Sequence, residues 1–343
     1  MKKIKITLVI LIITSVSFIS LEILSRVFRT YNDTNPVYII KHTRLPYTML
    51  KDSKSKSIIG NEIIINSHGF RDYEYSKKKN KNTYRILVLG DSTTFGYGVK
   101  IEESYPKVLE DLLNKNFKNK KIEVLNFGVS GFNLIDYYNV FKEYGAEFLP
   151  DCIIIGLMQN DFTLTSEKYV IENGIGKRPG SFWVRYNIPS FVLKLLRNSG
   201  LYLTIGNALK NIDATKINNL PKVNPKIIKS QDLKVVKGIS GYLAKFNKIS
   251  NDLDIPIYYL YLPTKREVEL NRYGHKELPA QLQKHSKDKE NINFIDMLDN
   301  FKKNSTVDKK IYSDQDPVHP TAFGHKIYAN SIYKKLLKQN TIR

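Results

Sequence analysis

Four short stretches of the chain hold side chains that can do chemistry together. Gly90-Asp91-Ser92-Thr93-Thr94-Phe95-Gly96 places a serine in a glycine-flanked turn, and Asp316-Pro317-Val318-His319-Pro320 places a carboxylate three residues before an imidazole. A serine hydroxyl is a poor nucleophile until a base removes its proton. Histidine suits that task near neutral pH. An aspartate on the other ring nitrogen would fix the tautomer and stabilise the imidazolium. Asp316 and His319 share one proline-stiffened loop, so a single segment can supply both. In Asn126-Phe127-Gly128-Val129-Ser130-Gly131, Gly128 can leave a backbone N–H uncovered for an incoming oxygen. In Met158-Gln159-Asn160-Asp161, the Asn160 amide is a neutral donor suited to a developing oxyanion. Singly, each stretch is weak. Gly-Asp-Ser is more often a plain turn, Gly128 an ordinary turn glycine and Asn-Asp a loop. The first stretch is also not the Gly-x-Ser-x-Gly elbow, because Thr94 stands at the second glycine position.

What precedes each stretch sharpens the reading. Arg85–Gly90, Ile122–Phe127 and Cys152–Leu157 are continuous apolar runs, each ending at or beside a glycine or a loop. Such runs are strands buried on both faces, as in a parallel sheet. Pro256–Leu262 and Ile292–Ile295 read as a fourth and a fifth strand. Between them the spacing predicts helices: one capped by Ser104 with Pro106 in its first turn and Val108, Leu109, Leu112 and Leu113 as its stripe, then helices near 134–144, 231–252 and 321–337. The alternation specifies a doubly wound three-layer α/β/α sandwich around a mostly parallel five-stranded sheet, flavodoxin-like in kind. In such sheets ligands bind at the carboxyl ends of the strands. The first three stretches follow strands, and the fourth precedes the last helix.

Taken in order, Gly-Asp-Ser, Gly, Asn-Asp and Asp-x-x-His resemble the SGNH hydrolases, also called the GDSL esterase family, over roughly residues 83–338. The resemblance implies a carboxylic ester hydrolase with Ser92 as nucleophile, His319 as general base and Asp316 orienting His319. It implies an oxyanion hole of the Ser92 N–H, the Gly128 N–H and the Asn160 amide. The upstream Asn66-Ser67-His68-Gly69-Phe70-Arg71 is similar to a segment that often precedes the domain in membrane-anchored members, with a structural role. One departure stands out: where the family commonly has Gly-x-Asn-Asp, Met158 replaces the glycine, which would narrow the acyl pocket or shift the loop.

The remaining sequence bounds the setting. The chain has 343 residues, 54 basic against 33 acidic, a net charge of +21. The 43 lysines against 11 arginines are scattered, with the densest run at Lys77–Lys81, whereas phosphate readers cluster arginines. No nucleic-acid partner is expected. Cys152 is the one cysteine, so there is no intrachain disulfide, and the histidines lack metal-ligand spacing; no metal and no cofactor are expected. Lys2, Lys3 and Lys5 precede an apolar run from Ile6 to Leu21 that extends to Phe28 if Glu22 and Arg26 pair at the far interface. Residues 1–29 read as a signal anchor with its positive end in the cytoplasm and the rest exported. Cleavage near Ser15-Val16-Ser17 would instead give a secreted protein. Residues 30–82 read as an extracytoplasmic linker and accessory segment, and 83–340 as the catalytic domain. An insertion at about 162–230, rich in Gly and Pro and holding Phe182, Trp183 and Tyr186, reads equally as a lid or a surface elaboration. The address suggests an acylated envelope carbohydrate or lipid as substrate. The alternatives are an O-acyltransferase with the same residues and a non-catalytic polysaccharide-binding domain.

Overall fold

In a computed structural model of the chain, the described residues are 2–27, 37, 39–56, 61–161, 170–172, 175–177, 225–274, 277–304, 310–313 and 316–342, with 189, 192, 196, 199–202 and 204–205. Five strands, β1 (Thr83–Gly90), β2 (Lys121–Gly128), β3 (Cys152–Leu157), β4 (Ile257–Tyr261) and β5 (Ile292–Asp296), form one sheet in the order β5-β4-β3-β1-β2. Every pairing is parallel, so the sheet is parallel throughout rather than mostly so. The strand order reverses at β1, which has β2 on one side and β3 on the other. That reversal opens a crevice at the carboxyl ends of β1 and β3.

Side chains of a strand alternate between the two faces, and here both faces are covered. Ile86, Val88, Val124, Ile154 and Leu260 enter one core with α3 (Tyr105–Asn116), α8 (Leu298–Asn304) and α9 (Ala322–Lys338). Their neighbours Leu87, Leu89, Leu125, Ile153, Ile155 and Tyr259 enter the other core with α4 (Leu134–Glu143), α5 (Pro225–Leu253) and α7 (Glu277–Ser286). These alternating residues are fully buried, so truncating any of the leucines or isoleucines to alanine would cost about 2–5 kcal/mol. The apolar runs show no hydrophilic alternation because neither face meets water.

Short helices escaped the sequence reading. Besides α7 and α8, α6 (Lys265–Leu270) follows β4. It opens with a capping box in which Thr264 and Glu267 exchange hydrogen bonds with each other's backbone. At α3, Ser104 is the N-cap residue as expected but makes no side-chain cap bond. Its hydroxyl donates instead to the Ile101 carbonyl at 2.6 Å, and the Tyr105 N–H is taken by His325 Nδ1 at 3.2 Å.

The described part of 30–82 is folded onto the domain. Ser53–Lys56 pairs antiparallel with Glu62–Ile65, and Ile39–Ile40 with Thr48–Met49. Ile63, Ile65 and Phe70 join the core beside α4, with Phe70 stacked on Phe127 at 4.0 Å between ring centroids. Of 162–230, a small antiparallel pair, Val170–Glu172 with Ile175–Lys177, is described. Phe182, Trp183 and Tyr186 lie outside the described residues. At the other end, α1 (Lys2–Val27) holds a 22-residue stretch, Ile6–Val27, of mean hydropathy 2.3 whose large apolar side chains are exposed. It is long and apolar enough to cross a membrane, and a signal sequence has the same character. The expected Glu22–Arg26 pair is formed, at 2.7 Å.

Candidate active site

The serine is presented by a turn too tight for side chains. β1 ends at Gly90, and α2 (Ser92–Phe95) begins two residues later. A Cβ on Gly90 would lie 1.9 Å from Thr94 Oγ1. Asp91 caps the helix, its Oδ1 accepting the Thr93 N–H at 2.9 Å. Ser92 is thus the first helical residue. Its own N–H has no intrahelical partner and no hydrogen bond among the described residues. The helix ends at Gly96, whose φ of 82° is the left-handed region that favours glycine.

Arg71 locks this turn from outside the sheet. Its buried guanidinium donates to the carbonyls of Phe95 at 3.1 Å, Gly96 at 2.5 Å and Val99 at 2.8 Å. Burial pulls the Arg71 pKa down to about 10, still leaving it cationic at neutral pH. A cation at a helix carboxyl end is favoured by the helix dipole. Asp72 anchors the next strand: it accepts the Asn126 N–H at 2.6 Å and pairs with buried Lys107, also at 2.6 Å. Arg71 and Asp72 thus brace the end of α2 and β2.

The histidine arrives on the loop before α9. Asp316 Oδ1 accepts the N–H groups of Val318 at 3.0 Å and His319 at 2.9 Å, while Oδ2 accepts the His319 ring Nδ1–H at 2.7 Å. Burial works to raise the Asp316 carboxyl. The His319 ring and the two backbone donors outweigh it and hold the group below the usual carboxylate range. With Nδ1 protonated toward Asp316, Nε2 is left to accept. Ser92 Oγ lies 2.8 Å from it. A second acceptor, Asp91 Oδ2, is farther at 3.3 Å, so the hydroxyl proton points at the imidazole. Ser92, His319 and Asp316 are all half-buried, open enough for a substrate. The Tyr97 ring lies tilted against His319, 4.4 Å between centroids. The line Asp316–His319–Ser92 has the reach that proton transfer from the hydroxyl requires.

The expected donors divide. Asn160 stands exposed in the turn after β3, near enough to the Asp91 carboxylate to offset part of the burial that raises it. Gly128 is corrected: its N–H is buried and donates to Asn126 Oδ1 at 3.0 Å. A Cβ there would come within 2.3 Å of the Phe95 N, so this glycine exists to let α2 pack on β2. Three residues on, Gly131 has φ +78° and a half-buried N–H without a partner among the described residues. Its preceding carbonyl, on Ser130, accepts the Tyr47 hydroxyl. The peptide's N–H points opposite to that carbonyl, so Tyr47 holds the Gly131 donor outward. Met158 is corrected too. It is fully buried, its sulfur taking the Thr93 hydroxyl at 3.1 Å, so it supports α2 from below rather than narrowing a pocket.

Beneath the site, Asp161 closes its own turn by accepting the Met158 N–H at 2.7 Å. Burial and the nearby Asp91 push its carboxyl well up, and burial raises Asp91 as well. Of the other histidines, His325 is sealed in the core with its pKa pulled down to about 3 by burial and by the Arg71 and His319 charges. His275 lies outside the described residues.

The family model for GDSL-like lipases and acylhydrolases matches residues 88–327, from β1 through the first turns of α9. The chain belongs to that family of ester hydrolases. An arylesterase of Vibrio mimicus is 30% identical over 93 residues, 27% of this chain and 46% of the relative, so the chain spans about half the length of that curated relative. Among solved structures, an acetylxylan esterase of Geobacillus stearothermophilus, Axe2 in a catalytic mutant form, is similar at 17% identity and TM-score 0.43, covering 76% of this chain and 96% of that one. A two-domain esterase active on acetylated mannans is similar at 14% identity and TM-score 0.45, covering 76% of this chain and 50% of that one. The family match begins inside β1, so Tyr47, Arg71 and Asp72, which brace the site, lie outside it.

Proposed function

We propose that the chain is a membrane-tethered serine esterase acting through an acyl-enzyme. The observation that carries this is the continuous hydrogen-bonded line from Asp316 through His319 to Ser92, at 2.7 and 2.8 Å. Ser92 Oγ attacks the ester carbonyl carbon as its proton passes to His319 Nε2. Asp316, ionised, stabilises the imidazolium. The negative charge on the former carbonyl oxygen is met by the N–H groups of Ser92 and Gly131 and by the Asn160 amide. Collapse breaks the bond to the alcohol, which leaves with the proton from His319. Water, deprotonated by His319, then attacks the Ser92 ester; the bond to Ser92 Oγ breaks as His319 returns the proton to it, and the carboxylic acid is released. The sum is ester plus water to acid plus alcohol.

The lysines at the start of α1 favour a cytoplasmic amino end and an exported catalytic domain. The substrate read from that address is an ester-linked acyl group on an envelope carbohydrate or lipid. A chain-length panel of model esters, with Ser92→Ala as blank, tests the activity. Free acid should form at a rate unaffected by a glycan acceptor. If release instead required the acceptor and gave acyl-sugar, the enzyme would be an acyltransferase; no turnover of any ester would remove the proposal.

A further inference from the structure

The far end of α1 makes a contact that α1 does not need in order to span a membrane. Glu22 accepts hydrogen bonds from Ser199 Oγ at 2.8 Å, from the Gly200 N–H at 2.9 Å and from the Leu201 N–H at 3.0 Å, besides the bond from Arg26 Nε at 2.7 Å. Four donors converge on one carboxylate, three of them from the amino end of a helical stretch that begins at Gly200 in the 162–230 insertion.

Depth gives this contact its meaning. A helix rises 1.5 Å per residue, so Glu22 sits about 26 Å from Lys5 along α1. The hydrocarbon layer is about 30 Å thick. With Lys5 at the near boundary, Glu22 falls about 4 Å short of the far one. An ionised carboxylate at that depth is costly unless it is hydrogen-bonded. The N–H groups of Gly200 and Leu201 would likewise need partners there. Each supplies what the other lacks, and both must lie at the same depth. The residues carried with them fit a boundary: Leu201, Tyr202 and Ile205 are apolar or interfacial, and Ile205 is half-exposed in the structure.

We propose that residues 199–202 and 204–205 seat in the headgroup boundary of the lipid bilayer on the side where α1 emerges, fastened there by Glu22. The insertion is then a second membrane contact, not only a loop beside the site. This rests on the reading of α1 as a membrane-spanning anchor. The domain is then held at a fixed distance from the lipid.

The full chain in anionic phospholipid vesicles tests it. Cys152 is buried, so an environment-sensitive fluorophore can be placed on Ile205→Cys and, separately, on Ile13→Cys within α1. Doxyl-labelled lipids then report depth. The Ile205 probe should be quenched severalfold by a doxyl group near the headgroup, and the Ile13 probe by one at mid-chain. Glu22→Ala should relieve quenching at position 205 and leave position 13 unchanged. Quenching at 13 with none at 205 would overturn the proposal while sparing the anchor. Quenching at neither would overturn both. Full quenching at 205 in Glu22→Ala would overturn the fastening by Glu22.

Discussion

His325 allows a quantitative test of the packing that surrounds the site. Its Nδ1 accepts the Tyr105 N–H, its Nε2 has no partner among the described residues, and no carboxylate touches it. The folded protein therefore resists protonating it, with a pKa near 3 against 6.5 for the free side chain. The unfolded chain binds this proton more tightly than the folded one, so stability falls as pH drops below 6.5 and the loss is complete only near 3. Integrating the difference in bound protons gives a loss of about 2 kcal/mol between pH 7 and pH 5 from this one group. His325→Asn keeps a side-chain oxygen for the Tyr105 N–H and removes the titration. It should cost stability at pH 7, because a smaller side chain leaves space, but that cost is independent of pH. Urea unfolding of the full chain in detergent, followed by far-ultraviolet circular dichroism at both pH values, gives the comparison. The wild type should lose about 2 kcal/mol more than the variant on going from pH 7 to pH 5. Equal losses would show that His325 is charged or solvated in the folded state, and the packing of α3 against α9 would need redrawing.

Three further outcomes follow from the site. Asp316→Asn should lower kcat on the order of 10⁴-fold by favouring the wrong tautomer of His319; its pH profile should keep its acid limb, since the lowered Asp316 carboxyl is not the group that titrates there. Asn160→Ala should lower kcat about 10²–10³-fold with circular dichroism unchanged, and an unaltered rate would remove it from the oxyanion site. Gly128→Ala and Gly131→Ala should separate the two glycines: the first drives a Cβ into α2 and should abolish stable folding. The second adds a left-handed backbone cost of about 1–2 kcal/mol at φ +78°; relieving it turns the peptide that carries the Gly131 N–H, so the protein should fold but hydrolyse esters slowly. A folded, fully active Gly131→Ala would return the donor role to other groups.

The five strands were readable because burial on both faces leaves unbroken apolar runs, and Ser92, Asp316 and His319 because they sit where strands end or a helix begins. What sequence left obscure depends on distant partners. Gly128 and Gly131 are equivalent as letters, and only the Asn126 side chain decides which N–H is occupied. Met158 reads as a pocket residue until Thr93 is seen above it. Tyr47, Arg71 and Asp72 act across the fold on carbonyls and N–H groups of Ser130, Phe95 and Asn126, and nothing in their spacing announces that. The α6 helix, by contrast, had a local signal in Thr264-Lys265-Arg266-Glu267, a capping box that was there to be read.

The central claim is that Ser92 is the activated nucleophile. Its most direct test is the site of covalent capture by a fluorophosphonate, located by peptide mass spectrometry and timed by the loss of esterase activity. The adduct should fall on the peptide holding Ser92, match the activity loss one for one, vanish in Ser92→Ala and form far more slowly in His319→Ala. An esterase-active protein that takes up no label at Ser92, or is inactivated by an adduct elsewhere, would contradict the account.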